Sequence, residues 1–214
     1  MKLINKTFSL SIAILMLFIC IETWSKAEDI RDLEIEGISL GDSLLDYFEK
    51  DLIESQKYNK SSLMYKNNEY VQIGASYKKS YNLNISSKTY DDLSIVLKTN
   101  DENYKIYSLG GRIFCDNIDI CKAQKDKIEK DLKNLFSESV EIEYINKNHS
   151  YDPTGDSKSY STYFNFENTN DYAFVAVYDW STRLENEKNW KDSLKVTIVS
   201  SEFGDFLNNV QYKN

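Results

Sequence analysis

The chain of 214 residues is poor in the residues that form flexible or chemically specialised segments. It has one proline, seven glycines, three cysteines and a single histidine. So little proline and glycine leaves no room for a long flexible linker, which favours a single domain. Since His149 is the only histidine, any imidazole-based catalysis would have to use this residue.

Arginine is also scarce, and the only three are Arg31, Arg112 and Arg183. Arginine is the usual bidentate partner of carboxylate and phosphate groups, so its scarcity weakens hypotheses of anion recognition. An alternative is a codon-composition effect without chemical meaning. The formal net charge of −8 argues against unaided binding to nucleic acid or to anionic membranes.

Residues 1–27 have the pattern of a secretory signal peptide. Two lysines precede an apolar run over residues 8–21, and the small residues Ser25 and Ala27 occupy positions typical of a cleavage site. The pattern predicts cleavage between Ala27 and Glu28 and export to the periplasm or the extracellular medium.

Two alternatives to a cleaved signal peptide are an uncleaved membrane anchor and a lipoprotein signal at Cys20. Cleavage would leave a single domain of residues 28–214 with a net charge of about −10. No second apolar run in that sequence is long enough for a transmembrane helix.

Two cysteines, Cys115 and Cys121, remain in the exported chain. An even pair at short spacing in an exported protein predicts a disulfide, worth about 2 kcal/mol in the chain-entropy model. A metal or redox site is the alternative. The spacing is not Cys-x-x-Cys and no histidine lies nearby, so the structural disulfide is favoured.

Hydrophobic periodicity predicts a helix followed by four strands in the first half of the chain. Ser43 would cap the helix, which would reach Glu54 with Leu45 on its apolar stripe. Gly110-Gly111 would mark a bulge or bend in the fourth strand. The strands are predicted near residues 70–77, 81–85, 93–97 and 104–115.

The second half repeats this order. A strong helix is predicted at residues 121–137, followed by strands near residues 140–144, 160–166, 172–180 and 194–198, and a short closing helix from 203 to 210. The fold class is therefore α+β: an antiparallel sheet of about eight strands with two main helices and a short C-terminal helix, and we expect the helices to lie over one face of the sheet. The similar halves, 38–115 and 116–214, are either a degenerate duplication or two ordinary sets of hairpins.

Residues 41–44 are Gly-Asp-Ser-Leu, which resembles the motif that names the GDSL esterases and lipases. The resemblance implies a parallel α/β sandwich in which Ser43 attacks an ester carbonyl. Its hydroxyl would need an imidazole base, which would have to be His149, and oxyanion donors. The family's Asp-x-x-His motif is not matched, because Asn146 precedes His149 by three residues. We favour the alternative that Ser43 is a helix cap.

The helix start at residues 38–45 and the strands after it are similar to SmpA/OmlA-type domains of bacterial envelopes. That resemblance implies outer-membrane assembly or protein binding and assigns no functional residue. The chain departs from the pattern, since it lacks the lipobox cysteine and has one helix where those domains have two before the sheet.

Together these features predict an exported, non-enzymatic module that binds another protein or a small ligand. We expect no cofactor, no metal, no nucleic acid and, after signal removal, no membrane. Acidic turns at 116–119 and 152–156 could hold calcium, but neither matches an EF-hand loop, and solvated turns are favoured. A binding module predicts an exposed aromatic groove or sheet edge, whereas an esterase predicts that Ser43 and His149 converge in one cleft.

Overall fold

A computed structural model defines residues 29–75, 89–136 and 140–213. The predicted signal peptide, its cleavage between Ala27 and Glu28, and the strand predicted at residues 81–85 lie outside these ranges. None of the helices in the described ranges is long and apolar enough to cross a membrane.

The described part of the chain contains ten strands and four α-helices. The strands are β1 (Glu34–Ile35), β2 (Ile38–Ser39), β3 (Leu63–Met64), β4 (Tyr70–Ala75), β5 (Asp92–Lys98), β6 (Ile106–Phe114), β7 (Val140–Asn148), β8 (Lys158–Phe166), β9 (Tyr172–Asp179) and β10 (Ser193–Val199). The helices are α1 (Lys50–Lys57), α2 (Ile118–Leu135), α3 (Thr182–Lys188) and α4 (Ser201–Phe206), the last continued by a wider turn at Leu207–Gln211.

Eight strands form one antiparallel sheet in the order β3-β4-β5-β6-β10-β9-β8-β7. Each half of the chain contributes four consecutive strands, and the halves meet where β6 pairs with β10. The predicted α+β class is thus confirmed, with an antiparallel sheet of eight strands, two main helices and a short C-terminal helix. A duplication as the origin of the halves stays a prediction.

One face of the sheet, which we call the core face, carries the main hydrophobic core. Side chains alternate along each strand, so Phe164 of β8 and Val175 of β9 both point to this face and are fully buried. Helix α2 packs on the core face. Its Lys125 pairs with Glu129 and donates to Thr162 Oγ1 at 2.9 Å, so these buried polar groups are partnered.

A disulfide between Cys115 and Cys121 joins the end of β6 to the first turn of α2, as the sequence predicts. Asn117 caps the helix by accepting a hydrogen bond from the Asp119 amide at 2.8 Å, which is ordinary N-cap chemistry. Because the two sulfur atoms are bonded to each other, neither is available as a metal ligand.

The prediction of an α-helix that begins at Ser43 is wrong, because α1 begins only at Lys50. Ser43 caps a single 3-10 turn, where its hydroxyl accepts from the Leu45 amide at 3.3 Å. The same hydroxyl donates to the Asn103 carbonyl at 2.7 Å. Leu44 is fully buried and Leu45 is 41% exposed, so tertiary contacts override the apolar stripe expected from helical spacing.

Helices cover both faces of the sheet, which corrects the expectation of helices over one face. Helix α4 lies on the opposite, second face, where Phe203 and Phe206 have ring centroids 4.9 and 4.8 Å from that of Tyr70. Tyr107 and Val199 join this smaller cluster. Helix α4 therefore covers the end of the second face where β6 begins and β10 finishes.

The bulge or bend predicted at Gly110-Gly111 is not found there. Both glycines keep regular pairing, and the register shift lies nearer the start of β6, where Tyr107 is an extra residue opposite Val96 and Leu97 of β5. The glycines serve close packing instead, since a Cβ on Gly111 would lie 2.5 Å from the ring of Tyr90.

Candidate functional site

Beyond α4 a groove of about 670 Å³ lies on the second face of the sheet. Its floor includes Arg112 and Phe114 from β6 and Ser193 and Lys195 from β10. These side chains point away from the core face because of the alternation along each strand. The volume is within the range of small-molecule sites.

One side of the groove is an aromatic wall formed by five rings. The ring centroid of Trp180 lies 4.3 Å from that of His149 and 4.5 Å from that of Trp190. Tyr178 lies 5.4 Å from His149, and Tyr151 lies 6.3 Å from Trp190. The rings come from the end of β9, the β7–β8 loop and the segment before β10, so the fold assembles the wall from three separate segments.

The other side of the groove includes Leu63 of β3, Tyr65 and Tyr212. Leu63 is 52% exposed and Tyr212 is 68% exposed, and Tyr151 of the aromatic wall is 71% exposed. Large apolar side chains exposed around one concavity are typical of a binding site.

Two cations, Arg112 and Lys195, lie directly opposite each other on β6 and β10, and we call them the basic pair. In the part of the chain that the structure describes, neither forms an ion pair with a carboxylate. The Nε atom of Arg112 is buried and has no hydrogen-bond partner there. Burial, and then the charge of Arg112, lower the pKa of Lys195 to about 8.

Gly110 leaves room for the basic pair. A Cβ at this position would lie 3.2 Å from Lys195 Cε, 2.8 Å from Ser94 Oγ and 2.9 Å from Thr197 Oγ1. The missing side chain thus allows the lysine chain to lie close against β6.

The β7–β8 loop, which carries two rings of the aromatic wall, is held by Asp152. This residue is 3% exposed, and its carboxylate accepts from Ser157 Oγ at 2.6 Å, Ser181 Oγ at 3.1 Å and Arg183 Nη2 at 2.8 Å. Hydrogen bonds, the one from Ser157 first, hold the pKa of Asp152 well below its usual range. The expectation of a solvated acidic turn is therefore wrong for Asp152.

Replacing Asp152 with asparagine should lower the melting temperature by several degrees, because Arg183 and the hydroxyl donors lose a carboxylate acceptor. The pKa of Asp152 is lower in the folded than in the unfolded state. The stabilisation by Asp152 is therefore complete above about pH 4 and is lost as the pH falls below that.

Thermal unfolding from pH 7 to pH 3 should show a smaller acid-induced loss of melting temperature in Asp152→Asn than in the wild type. Glu187→Gln, which removes the exposed second partner of Arg183, is the matched control, and equal acid sensitivity in wild type and Asp152→Asn would contradict this role.

The structure does not bring Ser43 and His149 together. Ser43 is bridged to Lys105 at the end of the sheet where β6 begins. His149 follows β7 at the opposite end, where it belongs to the aromatic wall. The length of β6 separates them, about 25 Å at 3.3 Å per residue. His149 Nδ1 accepts from the Tyr151 amide at 3.2 Å.

No group of three or more His, Cys, Asp or Glu side chains that could hold a metal ion occurs among residues 29–75, 89–136 and 140–213. No protein-family profile matches the chain, and no curated protein or solved structure is significantly similar to it.

Sequence reasoning missed the basic pair and the tryptophans of the groove. The alternation in the last strand identified its apolar face and assigned no role to Lys195 on the other face. The scarcity of arginine argued against anion recognition, yet Arg112, one of three, lies in the floor of the groove. The signal that could have identified the basic pair is that β6 and β10 each carry a cation on the face opposite their apolar face.

Proposed function

We propose that this protein is an exported, non-enzymatic binding module and that the groove on the second face is its ligand site. The observation that carries the proposal is the aromatic wall beside a groove of about 670 Å³ with an exposed apolar rim. Aromatic rings offer large planar contact area with little conformational entropy to lose. The disulfide is compatible with the oxidising compartment to which the predicted signal peptide would direct the chain.

Two other places on the surface are weaker candidates. A cavity of about 370 Å³ is lined by Glu69, Lys98, Asn100, Asp101 and Tyr107, but Lys98 is already paired with Glu202. The edge strand β7 exposes Glu141, Glu143 and Lys147. Charged side chains on an edge strand discourage the addition of another strand, so the groove is favoured over the sheet edge.

The alternative of a divergent esterase needs a base within hydrogen-bond distance of Ser43. The positions of Ser43 and His149 at opposite ends of the sheet argue against that pairing. The Ser43 hydroxyl is also engaged by the Asn103 carbonyl, which supports a structural role.

Fluorescence can test the groove as a ligand site, because Trp180 and Trp190 are the only tryptophans in residues 28–214. We expect dansylglycine to bind saturably, with energy transfer from these tryptophans to the dansyl ring. Trp180→Leu should weaken the affinity by about tenfold. Tyr144→Leu, at an exposed tyrosine of β7, should leave the affinity unchanged. Unsaturable binding to the wild type, or equal affinities in both variants, would contradict the proposal.

A further inference from the structure

The floor of the groove brings two like charges together. Arg112 and Lys195 are directly opposite in the pairing of β6 with β10. Side chains in such positions have Cβ atoms about 5 Å apart, and like charges there destabilise the sheet. An anion bound between them would relieve this repulsion.

The described neighbours of the basic pair do not balance its positive charge. Asp92 of β5 is opposite Arg112 on its other side, but the two form no ion pair. Lys191 adds another positive charge to the lining, and β9 contributes the uncharged phenol of Tyr178. His149 is neutral at pH 7, because burial lowers its pKa. Among the residues that the structure describes, the lining contains three cationic side chains and one carboxylate, although the whole chain has a net charge of −8.

The unpartnered Nε donor of Arg112 belongs to a guanidinium group, which suits a planar oxyanion. A guanidinium group presents its N–H donors in a planar fork that matches the two oxygens of a carboxylate. The Nε atom of Arg112 is buried, and no described residue accepts a hydrogen bond from it. Phe114 lies beside this guanidinium, with its ring centroid 6.0 Å from Cζ, and supports its position in the floor.

We infer that the ligand of this groove is a small organic carboxylate with a planar apolar body. The carboxylate is held by Arg112 and Lys195, and the apolar body lies against the aromatic wall. This inference rests on the proposed function of the groove and adds the chemical class of its ligand. A hydrogen bond to a charged group contributes enough free energy to change affinity by about tenfold or more.

Dansylglycine and dansylglycinamide make a matched pair of probes, since they share the aromatic group and differ in the charge of the carboxyl end. We expect the wild type to bind dansylglycine at least about tenfold more tightly than the amide. Arg112→Met and Lys195→Met should each bring the two affinities close together. Lys133→Met removes one positive charge from α2 on the core face and should keep the wild-type ratio. Unchanged affinity for the amide would show that the groove is intact in every variant.

Each outcome separates this inference from the proposed function. Equal affinity of the wild type for both probes would overturn the carboxylate assignment and leave the groove as a ligand site. A preference for dansylglycine that persists in both Arg112→Met and Lys195→Met would overturn the role of the basic pair. Saturable binding of neither probe would overturn both proposals.

Discussion

Replacing Phe164 with alanine is expected to lower the free energy of unfolding by about 3–5 kcal/mol. Phe164 of β8 is fully buried in the core face. The truncation removes apolar contacts and leaves a cavity that close-packed neighbours can fill only in part. Urea denaturation should show a lower midpoint with an unchanged slope.

Phe174 on the neighbouring strand β9 offers a matched control. Its side chain points to the second face, where it is partly exposed and lies 5.3 Å from the ring of Tyr163. We expect Phe174→Ala to have less than half the effect of Phe164→Ala, because the partly exposed ring buries less apolar area on folding. Equal losses would contradict the distinction between the fully buried Phe164 of the core face and the partly exposed Phe174 of the second face.

The affinity for dansylglycine should fall by about tenfold between pH 7 and pH 9. Burial, followed by repulsion from Arg112, lowers the pKa of Lys195 from 10.5 to about 8 in the folded protein. The side chain is therefore a cation below that pH and neutral above it. Since a carboxylate favours the protonated amine, binding above pH 8 requires proton uptake and becomes weaker. Fluorescence titrations at half-unit pH steps would measure the slope of log affinity for dansylglycine against pH.

Lys195→Met should bind dansylglycine more weakly and without this pH dependence. Burial lowers the pKa of His149 below 6.5 and raises that of Tyr178 to about 12, so neither group titrates between pH 7 and pH 9. Arginine stays charged throughout. Lys133→Met should keep the wild-type slope. If the slope survives in Lys195→Met, a different group controls the affinity.

The elements that sequence reasoning predicted best are those whose periodicity is long and clear. The strands of the second half and α2 have sustained alternation or helical spacing, and the short cysteine spacing predicted the disulfide. Local patterns were misleading where distant contacts decide the conformation. Ser43 is fixed by Asn103, sixty positions later, and the two-residue strand β3 is too short to give a signal.

The groove could not be predicted from the sequence for the same reason. Its basic pair exists because the register of β6 with β10 places Arg112 opposite Lys195, 83 positions apart in the chain. Its loop is fixed by Asp152, whose partner Arg183 follows 31 positions later. Strand pairing and buried hydrogen bonds between residues this far apart in the chain produce no periodic pattern in the sequence.

If Arg112 receives the carboxylate of a ligand in the groove, the binding can be observed at the arginine side chain itself. The chain has only three arginines, so the Nε–Hε region of a ¹H–¹⁵N spectrum should be simple. Arg31 Nε donates to Asp29 at 2.9 Å, and Arg183 pairs with Asp152. An Arg112→Lys variant identifies the remaining signal by its loss.

The decisive measurement is this spectrum with and without saturating dansylglycine. We expect a large shift of the Arg112 Nε–Hε signal, because a buried donor gains a charged acceptor. The signals of Arg31 and Arg183 should stay in place, and dansylglycinamide should move the Arg112 signal much less. An unmoved Arg112 signal under saturation, or equal shifts with the two probes, would contradict the account.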